Sequence, residues 1–427
     1  MKAFRGEILS VPDDPAVAGP DAIRHYEDGM LVVEDGLVLA CGPYPELAER
    51  FAEAEIEQLA GLIVPGFVDA HVHYPQIGSI ASHGEQLMQW LERHIFPAEK
   101  AFADRAHADA VAAFFLDELL RHGTTSALVF ATVHEGSVDA LFEAALARDM
   151  RLVSGKVLMD LGPEGLRDTT ASGRALTEAL IARWRGRGRL GYAVTPRFVP
   201  TSSSEQLADA GQLLAAHPDV LMHTHLSENP GEIAFVAERY PDAADYLDVY
   251  DRFGLVGPRS IFAHCVHMSD RALGRMAEAG AGIAFCPTSN LFLGSGLFDL
   301  AQADRHHVKL GIGTDVGAGT SLSILRTLGE AYKVCQLRGA SLDPFRALHL
   351  ATAGGARVMG IADRVGALLP GQEADFILLG DLDTPLLAPR CTNAPLHDRL
   401  FALQILGDDR AIAGAWLRGR RWRGKSG

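Results

Sequence analysis

Apolar and polar positions follow two distinct textures along the chain. Residues 1 to about 65 carry short apolar runs broken by turn residues, and GMLVVEDGLVLACG sets two such runs around Glu34-Asp35-Gly36, predicting a hairpin. From Gly66 onward, apolar strand-like runs alternate with longer amphipathic stretches, the pattern of a parallel sheet wrapped by helices. Eight runs qualify as strands: GFVDAHV, TSALVFATV, LVSGKVLM, GYAVTPRF, VLMHTHL, SIFAHCV, AGIAFCP and KLGIGTD. Segments such as AHADAVAAFFLDELLRHG and SEQLADAGQLLAAH supply helices between most of them. Eight is the strand number of a (β/α)8 barrel. After about residue 366 the strand-and-turn texture returns in VGALLPGQEADFILLGD and AIAGAWLRGRRW, so the two chain ends are expected to pair. The predicted fold class is therefore α/β. A (β/α)8 TIM-like barrel over residues 66–365 stands beside a small, discontinuous β-sandwich domain of residues 1–65 and 366–427. No internal repeat or low-complexity linker interrupts this order.

Composition narrows the function classes. Of 427 residues, 48% are hydrophobic and 22% charged, enough for a sizeable core and outside the range of disordered chains. A formal net charge of −15 disfavours binding to nucleic-acid backbones or anionic membrane surfaces. Basic residues gather only from Arg418 to Lys425, read as a solvated terminus. The five cysteines are widely spaced and form no Cys-x-x-Cys pair, which suits free thiols in a reducing compartment. MKAFRGEILSVPDD has no apolar stretch of signal-peptide length and no later segment resembles a membrane span, so cytoplasmic residence is expected.

The candidate chemistry sits where strand candidates end. His71 and His73 close the first run as His-x-His, and residues i and i+2 of a strand point to the same side, so both imidazoles can face one ion. Alone, this pair is as easily a coincidence of surface or core. Three further candidates also end in groups able to bind or serve a metal: His225 in MHTHLSE, His264 in FAHCVH and Asp315 in GIGTD. Singly, each has a structural explanation, such as Asp315 capping a helix that starts near Ser321; jointly they point to a metal site at the carboxyl ends of barrel strands. His223 shares the face of His225 and spacing leaves it open; Glu228, three residues beyond His225, favours the latter. His83-Gly84-Glu85 matches half of the cytidine-deaminase pattern, but Cys286 is followed by Pro-Thr-Ser rather than the required second cysteine. No His-Glu-x-x-His, Gly-x-Ser-x-Gly or P-loop occurs.

PGFVDAHVH, HTHLSE, FAHCVH and GTD resemble the amidohydrolase superfamily over nearly the whole chain. Within it, HYPQ, GEQLMQWLERHIFPAEKAFAD, HGTTSALVFATVH, TPRFVPTSS, FCPTSNLFLGSGLF and GTDVGAGTSLSILRTL are similar to the guanine deaminase family. The resemblance implies one Zn2+ per chain held by His71, His73, His225 and Asp315, with His264 beside the attacking water and Glu228 as the proton-shuttling carboxylate. It implies that Gln76, Arg197 and Phe198, with His225 next to them, hold a purine. The implied reaction is hydrolytic deamination of guanine to xanthine and ammonia, and a homodimer is the implied assembly. The same machinery could act on 8-oxoguanine, a pterin, cytosine or an aminotriazine, because few side chains separate such pockets. A non-catalytic scaffold would be expected to have lost ligands, and this chain keeps them. Trp90 and Phe96 are read either as pocket walls or as core.

Overall fold

A computed structural model describes residues 1–83, 86–380 and 385–424. The His83-Gly84-Glu85 triplet and the basic tail to Lys425 therefore lie partly outside the described residues.

The eight expected strands form one parallel sheet. They are Phe67–His73, Thr124–Phe130, Arg151–Gly155, Leu190–Pro196, Leu221–Leu226, Ser260–His264, Gly282–Phe285 and Lys309–Ile312, hydrogen-bonded to their neighbours in chain order. We refer to them as the first to eighth barrel strands. A two-residue piece, Val157–Leu158, continues the third and pairs with the fourth. Strands packed on both faces need apolar side chains on both, and nearly every residue of these runs is buried. The ring closes just beyond the eighth strand, where His73 N donates to Val316 O at 2.9 Å and Asp315 N to His71 O at 2.9 Å. The third and fourth strands approach so closely that a Cβ on Gly155 would lie 1.8 Å from Ala193 O, which leaves glycine as the residue that fits.

Helix boundaries follow local capping chemistry. Asp104 accepts from Ala106 N at 2.9 Å to start Arg105–Arg121, and Ser203 accepts from Gln206 N at 3.1 Å to start Ser204–Ala216. Ser323 caps Ile324–Leu337, so Asp315 is free of the capping role.

Both chain ends build a separate seven-stranded sheet, in which Glu55–Pro65 lies between Lys2–Ser10 and Phe376–Leu379. Alternation places Phe4 and Ile8 against Leu31, Phe376 and Trp416 on one face, and Ala3 against Met30, Val32 and Leu47 on the other. The predicted hairpin is present: Arg24–Glu34 and Leu37–Pro43 join through Asp35 and Gly36, with φ of 52° and 82°, the paired left-handed geometry of a tight hairpin turn. One C-terminal segment between the expected strand runs is helical. LHDRLFALQIL forms the helix Leu396–Leu406, whose Phe401 ring meets Tyr332 of the barrel helix Ile324–Leu337 at 5.0 Å.

A buried charge network ties the sheet to the barrel. Arg189, 6% exposed at the start of the fourth strand, donates to Glu373 Oε2 from Nε at 2.9 Å and from Nη2 at 2.6 Å, and also pairs with Asp375. Arg151 joins through Glu373 at 2.8 Å. Removing one member strands the others in low dielectric, so Arg189→Met is expected to cost about 3–5 kcal/mol, read as a lowered midpoint of thermal unfolding. An unchanged midpoint would show the network contributes nothing.

Candidate active site

The carboxyl ends of the first, fifth, sixth and eighth barrel strands deliver one cluster. His71 and His73 project from the same face of the first strand, 0% and 2% exposed, with their Nε2 atoms 3.1 Å apart. His225 Nε2 lies 3.2 Å from His73 Nε2, and Asp315 Oδ1 lies 3.1 Å from His71 Nε2 and 3.2 Å from His73 Nε2. One donor atom from each of the four falls within 4.8 Å of the others. For metal–ligand bonds of about 2.0–2.2 Å, a tetrahedral shell has edges of about 3.3–3.6 Å. The donors therefore converge at close to metal-shell spacing.

At His225 the outer ring atom leaves the inward nitrogen free to bind a cation. His225 Nδ1 lies 2.8 Å from the Arg197 carbonyl oxygen, which only accepts, so the proton sits on Nδ1 and Nε2 keeps its lone pair. His71 Nδ1 meets His223 Nε2 at 2.7 Å. His223 thus stands behind His71, while the four-residue donor group takes in His225. Burial pushes the imidazoles toward the neutral form, His73 down to about 4 and His225 well below its ordinary value. Burial alone would raise the Asp315 carboxyl, yet His71 and His73 hold it well below the usual range. Neutral imidazoles around an ionised carboxylate form a hard-to-borderline donor set suited to a divalent cation.

Asp69, within the first strand, was not singled out from sequence. Its Oδ1 accepts from His71 N at 3.2 Å and from Thr314 N at 3.1 Å, while Oδ2 takes the Thr314 hydroxyl. It locks the first strand to the segment carrying Asp315. Burial raises its carboxyl to about 7 against those hydrogen bonds.

Two further buried side chains stand beside the cluster. His264 Nε2 is 3.5 Å from Glu228 Oε2 and 3.7 Å from Asp315 Oδ2, gaps that suit a shared water molecule. His264 Nδ1 lies 2.9 Å from Asn290 Oδ1, a contact that places the Nδ1 proton there and leaves Nε2 facing the carboxylates. Glu228 is 3% exposed, and Ser295 Oγ donates to its Oε1 at 3.3 Å. Burial, reinforced by the negative charge of Asp315, pushes the Glu228 carboxyl well above its usual range. Four non-glycine residues here hold left-handed backbone: Ser227, His264, Cys265 and Asp315, with φ of 49°, 71°, 51° and 50°. Such strain concentrates where side chains must be aimed.

A pocket opens onto this cluster, lined by Gln76, Trp90, Arg197, Phe198 and Glu228 together with His73, His225, His264 and Asp315. Trp90 is thus a wall. Phe96 lies behind, its ring centroid 5.3 Å from the Arg197 guanidinium carbon. All nine side chains proposed from sequence are brought together. Reasoning from sequence missed Asp69, Asn290 and Glu99, whose partners lie far away along the chain.

All five cysteines are free thiols, and no described helix is long and apolar enough to cross a membrane. Comparison with known proteins places this geometry. The chain is 48% identical to the guanine deaminase of Escherichia coli, spanning 98% of this chain and 97% of that protein. The solved structure of an E. coli guanine deaminase superposes with a TM-score of 0.96 at 47% identity, covering 100% of both chains. That of a C. acetobutylicum guanine deaminase with bound guanine in its active site superposes at 0.91 and 27% identity, covering 99% of this chain and 100% of that one. The Amidohydrolase family profile matches residues 62–421, and with a donor cluster of the kind its characteristically metal-dependent members use, the chain belongs to the amidohydrolase family.

Proposed function

We propose that this protein hydrolyses guanine to xanthine and ammonia, with one zinc ion per chain held by His71, His73, His225 and Asp315. The observation that carries the reading is the junction of that donor cluster with a pocket holding Arg197, Gln76, Phe198 and a buried Glu228. Its full-length relatives include guanine deaminases at 48% and 47% identity. Residues 66–365 form the catalytic barrel in this reading, with residues 1–65 and 366–427 as the companion domain.

A divalent cation at these donors supplies Lewis acidity, bringing the pKa of a water molecule to roughly 7. The rest belongs to the chain. Asp315 Oδ2 and His264 Nε2 flank the water and are placed to take its proton and aim its oxygen at the amine-bearing carbon. Glu228, protonated through burial, gives its proton to the neighbouring ring nitrogen. Left deprotonated, Glu228 collects the remaining hydroxyl proton from the attacked carbon and passes it to the departing amine. The carbonyl forms as the carbon–nitrogen bond breaks and ammonia leaves, and the proton first taken by Asp315 returns to Glu228. Arg197 presents donors to the purine carbonyl, Gln76 offers its amide oxygen as an acceptor because its nitrogen is held by Glu99 and His73, and Phe198 walls the ring. Leu87, Trp90 and Leu91 close the apolar side and keep bulk water away.

The test is ammonia release from guanine, 8-oxoguanine, a pterin, cytosine and an aminotriazine under one set of conditions. Guanine is expected to show the highest kcat/KM by at least about tenfold. Equal or better turnover of another base would transfer the assignment to that base.

A further inference from the structure

The mechanism above leaves the buried carboxylate of Glu99, beside the pocket, unused. Glu99 lies on the short helix Phe96–Lys100 and is 1% exposed. Its Oε1 accepts from Gln76 Nε2 at 2.9 Å, and its Oε2 from Arg197 Nη1 at 2.6 Å. Both partners are themselves only 2% exposed and both line the pocket. One side chain therefore joins two groups that face the substrate from different strand ends.

We propose that Glu99 is the positioning residue of the base-binding pocket. In this role it fixes the orientation of Gln76 and Arg197 and balances the arginine charge, so that the pocket selects a neutral purine over an anionic one. The inference rests on the reading that Arg197 and Gln76 hold the base. A carboxylate only accepts hydrogen bonds, so the Gln76 amide must turn its nitrogen toward Glu99. Its oxygen is thereby turned toward Gly317 N, 3.4 Å away. One edge of the Arg197 guanidinium is likewise committed to Glu99, and the Phe96 ring 5.3 Å from its carbon limits its tilt. What remains is a fork of fixed direction. The charge consequence is separate from the geometric one. A buried guanidinium without its carboxylate would attract an anion, and xanthine, the product of the proposed reaction, ionises more readily than guanine. Glu99 thus favours entry of the neutral substrate and departure of the product.

Three metal-replete variants test this: Glu99→Gln, Arg197→Met and the double variant. Kinetics with guanine and inhibition by xanthine, at a pH where xanthine is an anion, are the readouts. Glu99→Gln is expected to raise KM for guanine roughly 10–100-fold, with kcat falling less than KM rises and metal content retained. Its ratio of xanthine inhibition constant to guanine KM should drop at least about tenfold, which a merely structural residue would not cause. The double variant should lose far less than the product of the two single losses, because Glu99 acts through Arg197 and Gln76. Should Glu99→Gln fail to fold, the double variant removes both charges and carries the comparison by itself. If Arg197→Met leaves KM unchanged, the reading of Arg197 as a substrate contact is wrong and the proposal goes with it. If Arg197→Met raises KM while the double variant shows multiplied losses, or the xanthine ratio stays constant, the role of Glu99 alone is overturned.

Discussion

Replacing Glu228 with Gln is expected to lower kcat for guanine by about 10²–10⁴-fold while the bound metal stays at the parent's level. The substitution keeps the shape of the side chain and its contact with Ser295 Oγ, and it touches none of the four cation donors. What it removes is a transferable proton. Burial and the charge of Asp315 raise the Glu228 carboxyl well above its ordinary value, so the parent residue keeps that proton to higher pH than an exposed glutamate does. The sign of the pH dependence follows. A general acid with a raised pKa is active below that pKa and lost as pH climbs through it, so the parent rate should fall on the alkaline side. The small residual rate of the variant should lack that limb. Rapid-quench turnover at several pH values, alongside elemental analysis of the purified variant, reads both effects. Loss of the metal, or a kcat within threefold of the parent, would remove Glu228 from the proton path.

His71→Ala is expected to be the more damaging change, abolishing stoichiometric metal and reducing turnover at least about 10⁴-fold, because a water molecule of ordinary acidity is then the nucleophile. His71 is fully buried and spans the cluster, touching the donors His73 and Asp315 with one nitrogen and His223 with the other. Exhaustive chelation of the parent should mimic the loss, and adding zinc back should restore the parent but not the variant. A second readout is thermal. A ligand that binds only the folded state adds about 2.7 kcal/mol at a hundredfold excess over its Kd, so the chelated parent should melt at lower temperature, whereas chelator should leave the His71→Ala midpoint unmoved. Full activity after chelation would end the metal-based account.

The barrel was legible because its information is local. Each strand run is continuously apolar and of ordinary strand length, and capping residues such as Asp104 and Ser203 mark where helices begin. The cation donors were legible for a related reason, since His-x-His uses the two-residue period of a strand and needs no knowledge of the partner. Glu99 shows the limit. In FPAEK it reads as a solvated helical carboxylate, and only the approach of Gln76 and Arg197, 23 and 98 positions away in the chain, buries it. Asn290 is hidden in the same way, its value lying in the tautomer of a histidine 26 residues earlier. Between the two C-terminal strand runs the sequence reading assigned no element to Leu396–Leu406, a helix packed against Ile324–Leu337.

The order of strands in the terminal sheet bears on how the protein is made. Glu55–Pro65 is translated early, and Lys2–Ser10 can cover one of its edges at once, but its other edge is covered by Phe376–Leu379. At about 5–20 residues per second, the nascent chain leaves the ribosome for many seconds with this hydrogen-bonding edge open while the whole barrel is still emerging. An open edge recruits foreign strands. Fast expression should therefore favour aggregates nucleated by the first sixty-five residues, and slower synthesis or a chaperone that shields that edge should raise the soluble yield.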